Sequence, residues 1–143
     1  MNVAAILKLK GRAVVTARAD ATLLEISRRL SAKKIGAIVV TAETGGVIGI
    51  VSERDIIRVI GQKGVEALAL PVGDVMTRQV VTCRISSTLD ELMATMTAGR
   101  FRHIPVVDDG ELAGLVSIGD VVKHHIAEVE MEVDAMRGYL TTG

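Results

Sequence analysis

The sequence predicts a mixed α/β (α+β) fold built from two copies of one β-α-β-β-α unit and ending in a long C-terminal helix. Two observations predict the repeat. Several short segments recur in the second half of the chain in the same order, and each half shows the same alternation of strand-like and helix-like apolar patterns. A third observation predicts the long helix, because neither proline nor glycine occurs between residues 121 and 137.

The recurring segments lie in register with one another. Residues 14–16 (Val-Val-Thr) recur as residues 80–82, and residues 22–25 recur at the same offset as residues 88–91. Further pairs, the last after a one-residue slip in a turn, are 38–40 with 104–106 and 49–56 with 114–121. A correspondence of this length indicates a duplicated unit.

The first helix of each copy is predicted by a capping box, in which the side chains of a Thr and a Glu three residues later satisfy free amides at the helix start. Thr22 with Glu25, and Thr88 with Glu91, have this spacing. Apolar residues then follow at helical spacing, namely Leu23, Ile26 and Leu30 in the first copy and Leu89, Leu92, Met93 and Met96 in the second. We therefore expect one face of each helix to be buried.

Each helix is followed by a predicted β-hairpin. In the first copy, residues 35–41 and 47–51 are β-branched runs separated by a Thr-Gly-Gly turn at 44–46, and residues 108–110 (Asp-Asp-Gly) form the corresponding turn in the second copy. We divide the chain into a first repeat (8–62), a linker (63–76) with a short helix over 66–70, a second repeat (77–126) and a helical extension (127–143). Residues 3–7 predict a short helix that packs on the second half.

Composition narrows the function classes. Seventeen basic residues balance 17 acidic ones, so no overall charge attracts nucleic acid or an anionic membrane. Phe101 and Tyr139 are the only aromatic residues, so platforms for stacking single-stranded nucleic acid are missing. The lone cysteine, Cys83, is expected to be a core thiol, and the absence of a signal-type or spanning apolar run favours a cytoplasmic location.

The duplicated segments resemble the CBS-domain family, which is named after the regulatory half of cystathionine beta-synthase. The resemblance covers about residues 8–126. It depends on the Asp-Val-Met-Thr segment at 74–77, the segment Arg-His-Ile-Pro-Val-Val-Asp at 102–108, and two Gly-x-x-Ser-x-x-Asp segments in register. The first copy departs from this pattern at Val39 and Ala42, where the second has Pro105 and Asp108.

The resemblance implies two repeats related by pseudo-twofold symmetry, with two clefts that can hold adenosine derivatives. Such a pair, also called a Bateman module, is expected to bind AMP, ATP, NADH or S-adenosylmethionine in energy sensing and to have no catalytic chemistry of its own. AMP is the leading expectation. Arg54 and Arg102 favour a phosphate over a sulfonium ligand, which two guanidinium groups would repel, but they do not choose among AMP, ATP and NADH.

The Ser-x-x-Asp segments allow two interpretations. Ser52 with Asp55, and Ser117 with Asp120, have the spacing of an ordinary capping box between a strand and a helix. A carboxylate at a helix start can also accept two hydrogen bonds from vicinal ribose hydroxyls. The family resemblance favours ribose binding by the aspartates.

The Asp120 cleft is predicted to be the main site. The resemblance implies that its adenine contacts come from the first copy and that Arg102 and Arg54 bind phosphate, with His103 as a further donor. The residues expected here are Asp120, Ser117, Ile118, Arg102, Arg54, Thr16, Asp20, Ile35, Gly36, Ala37, Ile38 and His103.

The Asp55 cleft is predicted to be weaker or empty. At the positions that correspond to the two arginines it has Gly36 and Gly119, which carry no charge. The residues expected in this second cleft are Asp55, Ser52, Thr82, Ser86 and Ile104.

The C-terminal helix carries a heptad-like apolar stripe. Its members, spaced alternately by four and three residues, are Val122, Ile126, Val129, Val133, Met136 and Leu140. We expect this stripe to form a homodimer. The alternative to a nucleotide sensor is a ligand-free assembly module that dimerises or docks on a partner enzyme or transporter. An enzyme acting on a nucleotide is a third hypothesis, and no catalytic or metal-binding motif supports it, since the adjacent His124 and His125 lack the i, i+4 spacing of a metal pair.

Overall fold

A computed structural model describes residues 1–142 and contains two α/β halves that follow the predicted repeat. In the first half, α1 (Val3–Lys10) precedes β1 (Thr16–Ala17), α2 (Leu23–Lys33), β2 (Ala37–Thr41), β3 (Val47–Ser52) and α3 (Glu53–Lys63). The second half contains α4 (Leu89–Gly99), β4 (His103–Asp108), β5 (Glu111–Ser117) and α5 (Ile118–Thr142). Two 3-10 helices, Gly64–Ala69 and Val72–Asp74, connect the halves.

The strands pair in equivalent ways in the two halves. β1 lies parallel to β2, with Ala17 opposite Val40, and β2 and β3 form an antiparallel hairpin. β4 and β5 form the corresponding hairpin, and a single parallel bridge between Cys83 and Val106 takes the place of the β1–β2 pair. The first strand of the β-α-β-β-α unit is therefore reduced to this bridge in the second half.

The predicted capping boxes begin α2 and α4. The hydroxyl of Thr22 accepts from the Glu25 amide at 3.2 Å, and the Glu25 carboxylate accepts from the Thr22 amide at 3.1 Å. Thr88 and Glu91 make the same pair of bonds, at 3.2 Å each. Both predictions are confirmed, because each box satisfies two amides that have no partner within the helix.

Several element boundaries differ from the sequence prediction. β2 begins at Ala37, so Ile35 and Gly36 precede it and are not part of the strand. The linker helix is a 3-10 helix that begins at Gly64, and α1 continues past Leu7 to Lys10. The second helix of repeat two and the C-terminal extension form one helix, α5, which passes through Gly138 without a break.

Each half has its own aliphatic core. The first is built on Leu23, Ile26 and Leu30 of α2, with the side chains of β2, β3 and α3 packed against them. The second is built on Leu89, Leu92 and Met96 of α4, with β4, β5 and the start of α5. Cys83 lies half-buried at the edge of this second core, where burial raises the pKa of its thiol to about 11.

The two halves exchange the segments that complete their cores. Val72 and Met76, which lead into the second repeat, are buried in the first core. Val3, Ile6 and Leu7 of α1, which lead into the first repeat, are buried in the second core. The expectation that residues 3–7 pack on the second half is confirmed.

Matching backbone hydrogen bonds hold the exchanged segments. The amide of Val72 donates to the carbonyl of Ala21 at 2.7 Å, and the amide of Val3 donates to the carbonyl of Ser87 at 2.9 Å. Neighbouring bonds repeat in the same way, with Leu23 donating to Leu70 at 3.0 Å and Leu89 to Met1 at 3.2 Å. The pseudo-symmetry thus extends from the repeats to the segments that precede them.

Close packing at two equivalent glycines marks where the exchanged segments cross the hairpins. A Cβ added at Gly49 would collide with the sulfur of Met76, and one at Gly114 would lie 2.6 Å from Cδ2 of Leu7. Only glycine lets the exchanged side chain lie this close to the strand backbone.

The outer part of α5 extends beyond the second core. Its predicted apolar stripe is exposed, with Val122, Ile126 and Val133 between 41% and 51% accessible. Within residues 1–142, no helix has the length and apolar character needed to cross a membrane.

Candidate functional site

Asp55 lies buried in the first turn of α3, where its own half surrounds the carboxylate with donors. Its Oδ2 accepts from the amide of Ser52 at 2.8 Å and from the Ser52 hydroxyl at 3.1 Å. Its Oδ1 accepts from Nη2 of Arg58, one helical turn further on, at 3.0 Å. Both carboxylate oxygens are therefore held within a single strand-to-helix connection.

Asp120 occupies the equivalent position at the start of α5, with a different cation. Its Oδ2 accepts from the amide of Ser117 at 2.9 Å and from the ammonium of Lys10 at 2.6 Å. Lys10 also donates to the carbonyl of Leu115 at 2.7 Å. Burial raises the pKa of Asp120, but the hydrogen bonds from Lys10 and Ser117 outweigh it, so the pKa lies below its usual value.

The capping interpretation of both Ser-x-x-Asp segments is confirmed. The amide of Asp55 donates to the hydroxyl of Ser52 at 3.3 Å, and the amide of Asp120 donates to the hydroxyl of Ser117 at 3.2 Å. Both aspartates therefore take part in helix capping, with or without a bound ligand. A ribose that bound to either would have to share the carboxylate with the donors already present.

A cavity of about 410 Å³ opens between the halves beside Asp55. The first half contributes the start of α3, and the second contributes the segment that follows the linker and the end of α4 with the entry to β4. The lining residues are Gly36, Ile50, Ser52, Glu53, Arg54, Asp55, Arg58, Thr77, Gln79, Val80, Val81, Gly99, Arg100, Phe101, Arg102 and His103.

Four arginines lie at this cavity. Arg54, Arg58, Arg100 and Arg102 line it together with two carboxylates, those of Glu53 and Asp55. The family resemblance assigned Arg54 and Arg102 to the Asp120 cleft, whereas both line the cavity beside Asp55. The comparison of Gly36 and Gly119 with these arginines therefore does not describe the charge that surrounds Asp55.

His103 lies where the two halves meet. A Cβ on Gly36 would lie 3.1 Å from Cε1 and 3.3 Å from Nε2 of the imidazole, and 3.7 Å from Oε1 of Glu53. Burial lowers the pKa of His103, as do the charges of Lys10 and Arg102, while Glu53 and Asp120 act in the opposite direction. The lowered pKa keeps the imidazole uncharged at neutral pH.

The structure brings some of the predicted site residues together and separates others. Gly36, Arg54, Arg102 and His103, expected in the Asp120 cleft, line the cavity beside Asp55 together with Ser52. Thr82 and Ser86, expected near Asp55, instead line a separate open depression of about 970 Å³ beside residues 107–110.

The remaining predicted residues lie on the frame of the fold. The side chains of Ala37, Ile38 and Ile104 are buried in the cores, so these residues present only backbone groups to a ligand. Ile35 packs against the first core, Thr16 pairs with Val39, and Asp20 and Ile118 are exposed.

Sequence reasoning missed four polar residues at the clefts, namely Lys10, Arg58, Gln79 and Arg100. Arg58 could have been found, because it follows Asp55 by three residues on a predicted helix, a spacing that places the two on one face. Nothing in the local sequence brings Lys10 to Asp120, since their contact depends on the exchange of α1 between the halves.

Comparison with known proteins decides the family. A family model described as CBS domain matches the chain twice, at residues 9–62 and 72–126. The chain belongs to the CBS-domain family. Its two matches correspond to the two repeats, so it is a tandem CBS pair.

Individual CBS relatives agree with this assignment. The crystal structure of the CBS-domain containing protein ATU1752 from Agrobacterium tumefaciens is 47% identical, with a TM-score of 0.86, and the match covers 87% of this chain and 99% of that one. The CBS domain protein PAE2072 from Pyrobaculum aerophilum, solved in complex with AMP, is 28% identical, with a TM-score of 0.75, and the match covers 84% and 89% of the two chains.

A curated relative is longer than this chain. The mitochondrial CBS domain-containing protein CBSX3 of Arabidopsis thaliana is 34% identical over 128 residues, which are 87% of this chain and 62% of that protein. The chain spans only 21% of the length of another Arabidopsis relative, CBSCBSPB5. What these relatives share with the chain is the CBS pair.

Proposed function

We propose that this CBS pair is a non-catalytic regulatory module that binds an adenine nucleotide between its repeats and transmits the bound state to a partner protein. AMP is the ligand favoured, with ATP and NADH as alternatives. The observation that carries the proposal is the cavity beside Asp55, in which Arg54, Arg58, Arg100 and Arg102 gather at the junction of the halves.

The chemistry of this cavity fits a phosphate. Guanidinium groups bind phosphate through paired hydrogen bonds, and the positive end of the α3 dipole adds to the attraction. Arg54 comes from the first half and Arg102 from the second. A phosphate bound by both would therefore link the halves and favour one relative arrangement over others.

The other parts of a nucleotide also find partners of suitable chemistry. Residues 100–103 line the cavity, and a base can pack against the ring of Phe101. Asp55 offers a carboxylate to the ribose hydroxyls in exchange for part of its contact with Arg58. The AMP complex of PAE2072 supports the same class of ligand.

The positions of the arginines change the proposed ranking of the two clefts. The sequence favoured Asp120 as the main phosphate-bearing site, with Arg54 and Arg102 as its cations. Because both arginines line the cavity beside Asp55, we now propose Asp55 as the main cleft and Asp120 as the second.

Calorimetric titration with AMP tests this function. We expect Arg54→Ala combined with Arg102→Ala to weaken binding about 100-fold, since each charge-assisted contact contributes about a factor of ten. Arg28→Ala combined with Arg29→Ala is the matched control, because both residues lie exposed on α2 outside the cavity. Asp55→Ala should cost more affinity than Asp120→Ala.

The outcome that overturns the proposal is simple. If the purified protein releases no adenine nucleotide on denaturation, as judged by mass spectrometry, and AMP, ATP and NADH give no binding heat, the module is not a nucleotide sensor. Conversion of a bound nucleotide into a product would instead identify an enzyme.

The exposed stripe on α5 favours a second candidate, a module whose role is assembly. Val122, Ile126, Val129 and Val133 form an apolar face on the outer part of α5, and Glu128, Glu130, Glu132 and Asp134 occupy intervening positions. A homodimer through this face satisfies the pattern. Truncation after Ala127 should yield a monomer in light scattering, and an unchanged dimer would exclude a role for the tail beyond Ala127.

A further inference from the structure

Lys10 reaches the Asp120 cleft through a helical turn that has no counterpart in the other half. The exchanged segments match as far as Leu7 and Met76, which pack on equivalent glycines. The 3-10 helix before Met76 ends at Asp74, and Thr77 bridges to Ile50, whereas α1 continues past Leu7 for one more turn and carries Lys10 to Asp120. Of the two capping aspartates, therefore, only Asp120 is paired with a cation from an exchanged segment.

The ammonium of Lys10 is held by two acceptors. It lies 2.6 Å from Oδ2 of Asp120 and 2.7 Å from the carbonyl oxygen of Leu115. These contacts use two of its three hydrogens. The side chains of Lys10 and Asp120 remain 37% and 23% accessible, so the ion pair is partly open to solvent.

A ligand that is to place its ribose on Asp120 must compete with this ammonium. If adenosine displaces Lys10 from the carboxylate, it provides no anionic group as a new partner for the ammonium. A sulfonium group repels the ammonium. A phosphate gives the ammonium a new anionic partner, and the four-carbon stem of lysine lets it move to that partner.

We propose that Lys10 is the specificity-determining residue of the Asp120 cleft. It weakens the binding of uncharged and cationic adenosine ligands there and favours ligands that carry a phosphate. This inference rests on the proposed function, because it assumes that the clefts bind adenosine derivatives. It adds a selection rule for the Asp120 cleft, where the aspartate is paired with a lysine from α1, whereas Asp55 is paired with Arg58 on its own helix.

Calorimetry on an Asp55→Ala background isolates the Asp120 cleft for the test. We expect this chain to bind AMP more tightly than adenosine, and Lys10→Met to reduce the ratio of the two affinities about tenfold, by weakening AMP and strengthening adenosine. Lys10→Arg keeps the cation and should keep the ratio. Lys8→Met is the matched control, since Lys8 is exposed on the same helix and makes no contact with Asp120.

Each other outcome has a defined meaning. An unchanged ratio in Lys10→Met, with AMP still bound, overturns the role of Lys10 and leaves the proposed function standing. Loss of all binding in the Asp55→Ala chain, while the unmodified chain binds AMP, overturns the assignment of a ligand to the Asp120 cleft. If the unmodified chain binds neither AMP nor adenosine, the proposed function fails and this inference fails with it.

Discussion

The first and second halves have a similar backbone fold but differ in the charged residues that contact their capping aspartates. Each half caps its second helix with a Ser-x-x-Asp segment and receives its last core side chains from a segment across the interface. At the capping aspartates the halves differ, because Asp55 pairs with Arg58 on its own helix while Asp120 pairs with Lys10 from α1. The comparison shows that packing preserves the repeat, whereas the polar partners of the two capping aspartates differ.

The largest effect should come from the cores, where we expect the halves to be equivalent. Leu23 and Leu89 occupy matching positions and are 0% and 1% accessible. Truncating either to Ala should lower the free energy of unfolding by about 2–5 kcal/mol, through lost burial and the cavity left behind. Urea denaturation measures both, and Leu24→Ala, at a 37% exposed position on α2, is the control that should cost little.

A loss that differs by more than about 3 kcal/mol between Leu23→Ala and Leu89→Ala would contradict the equivalence of the cores, since that exceeds the width of the expected range.

A smaller loss of stability, different in the two halves, is expected on substitution of the two glycines that contact the exchanged segments. Gly49→Ala and Gly114→Ala both crowd a side chain, at a cost of about 1–3 kcal/mol. We expect Gly114→Ala to cost more, because Leu7 is branched and buried, while the flexible thioether of Met76 can move aside. Thermal unfolding of both variants measures the difference.

Gly46→Ala is the control for these glycines, because a Cβ there meets no atom within 4 Å. Equal losses at Gly49 and Gly114, or a greater loss at Gly49, would show that the exchanged segments do not differ in stiffness.

The smallest effect should be the acid dependence of the ion pair between Lys10 and Asp120. Because the pKa of Asp120 is lower in the folded chain than its ordinary value of 3.8, the pair stabilises the fold above that value and loses this contribution as the pH falls through the lowered pKa. For a partly exposed pair we expect about 0.2–1 kcal/mol at pH 7. Lys10→Met should remove it.

The measurement is the difference in unfolding free energy between the unmodified chain and Lys10→Met as the pH is lowered. This difference should shrink in acid, and Lys8→Met should show none. A difference that stays constant down to strong acid would mean that Lys10 stabilises the fold by packing and not by its charge.

Most of the fold could be predicted from the sequence because its signals are local. The capping boxes at Thr22 and Thr88 and the hairpin turns depend on residues within a few positions of one another. Boundaries were less accurate. α1 continues to Lys10, beyond the predicted residues 3–7, and the first strand of the second repeat is reduced to one bridge at Cys83.

The site could be predicted only in part, because its residues come from both halves. Ser52, Asp55, Ser117 and Asp120 were found from their spacing, but spacing does not say which cleft an arginine enters. Arg54 was placed at Asp120 by resemblance and lines the cavity beside Asp55. Only the packing of one half against the other, and the exchange of α1, fix such long-range neighbours.

The exchange of core segments also limits how a single repeat can exist. A single repeat expressed with the segment that precedes it lacks the residues that complete its core. Val72 and Met76 precede the second repeat but pack in the first core, and Val3, Ile6 and Leu7 precede the first repeat but pack in the second core. Such a fragment cannot close its own core, and a second copy would have to lend it the missing side chains. The tandem chain is, in this sense, a domain-swapped dimer whose two subunits have been joined by a peptide linker.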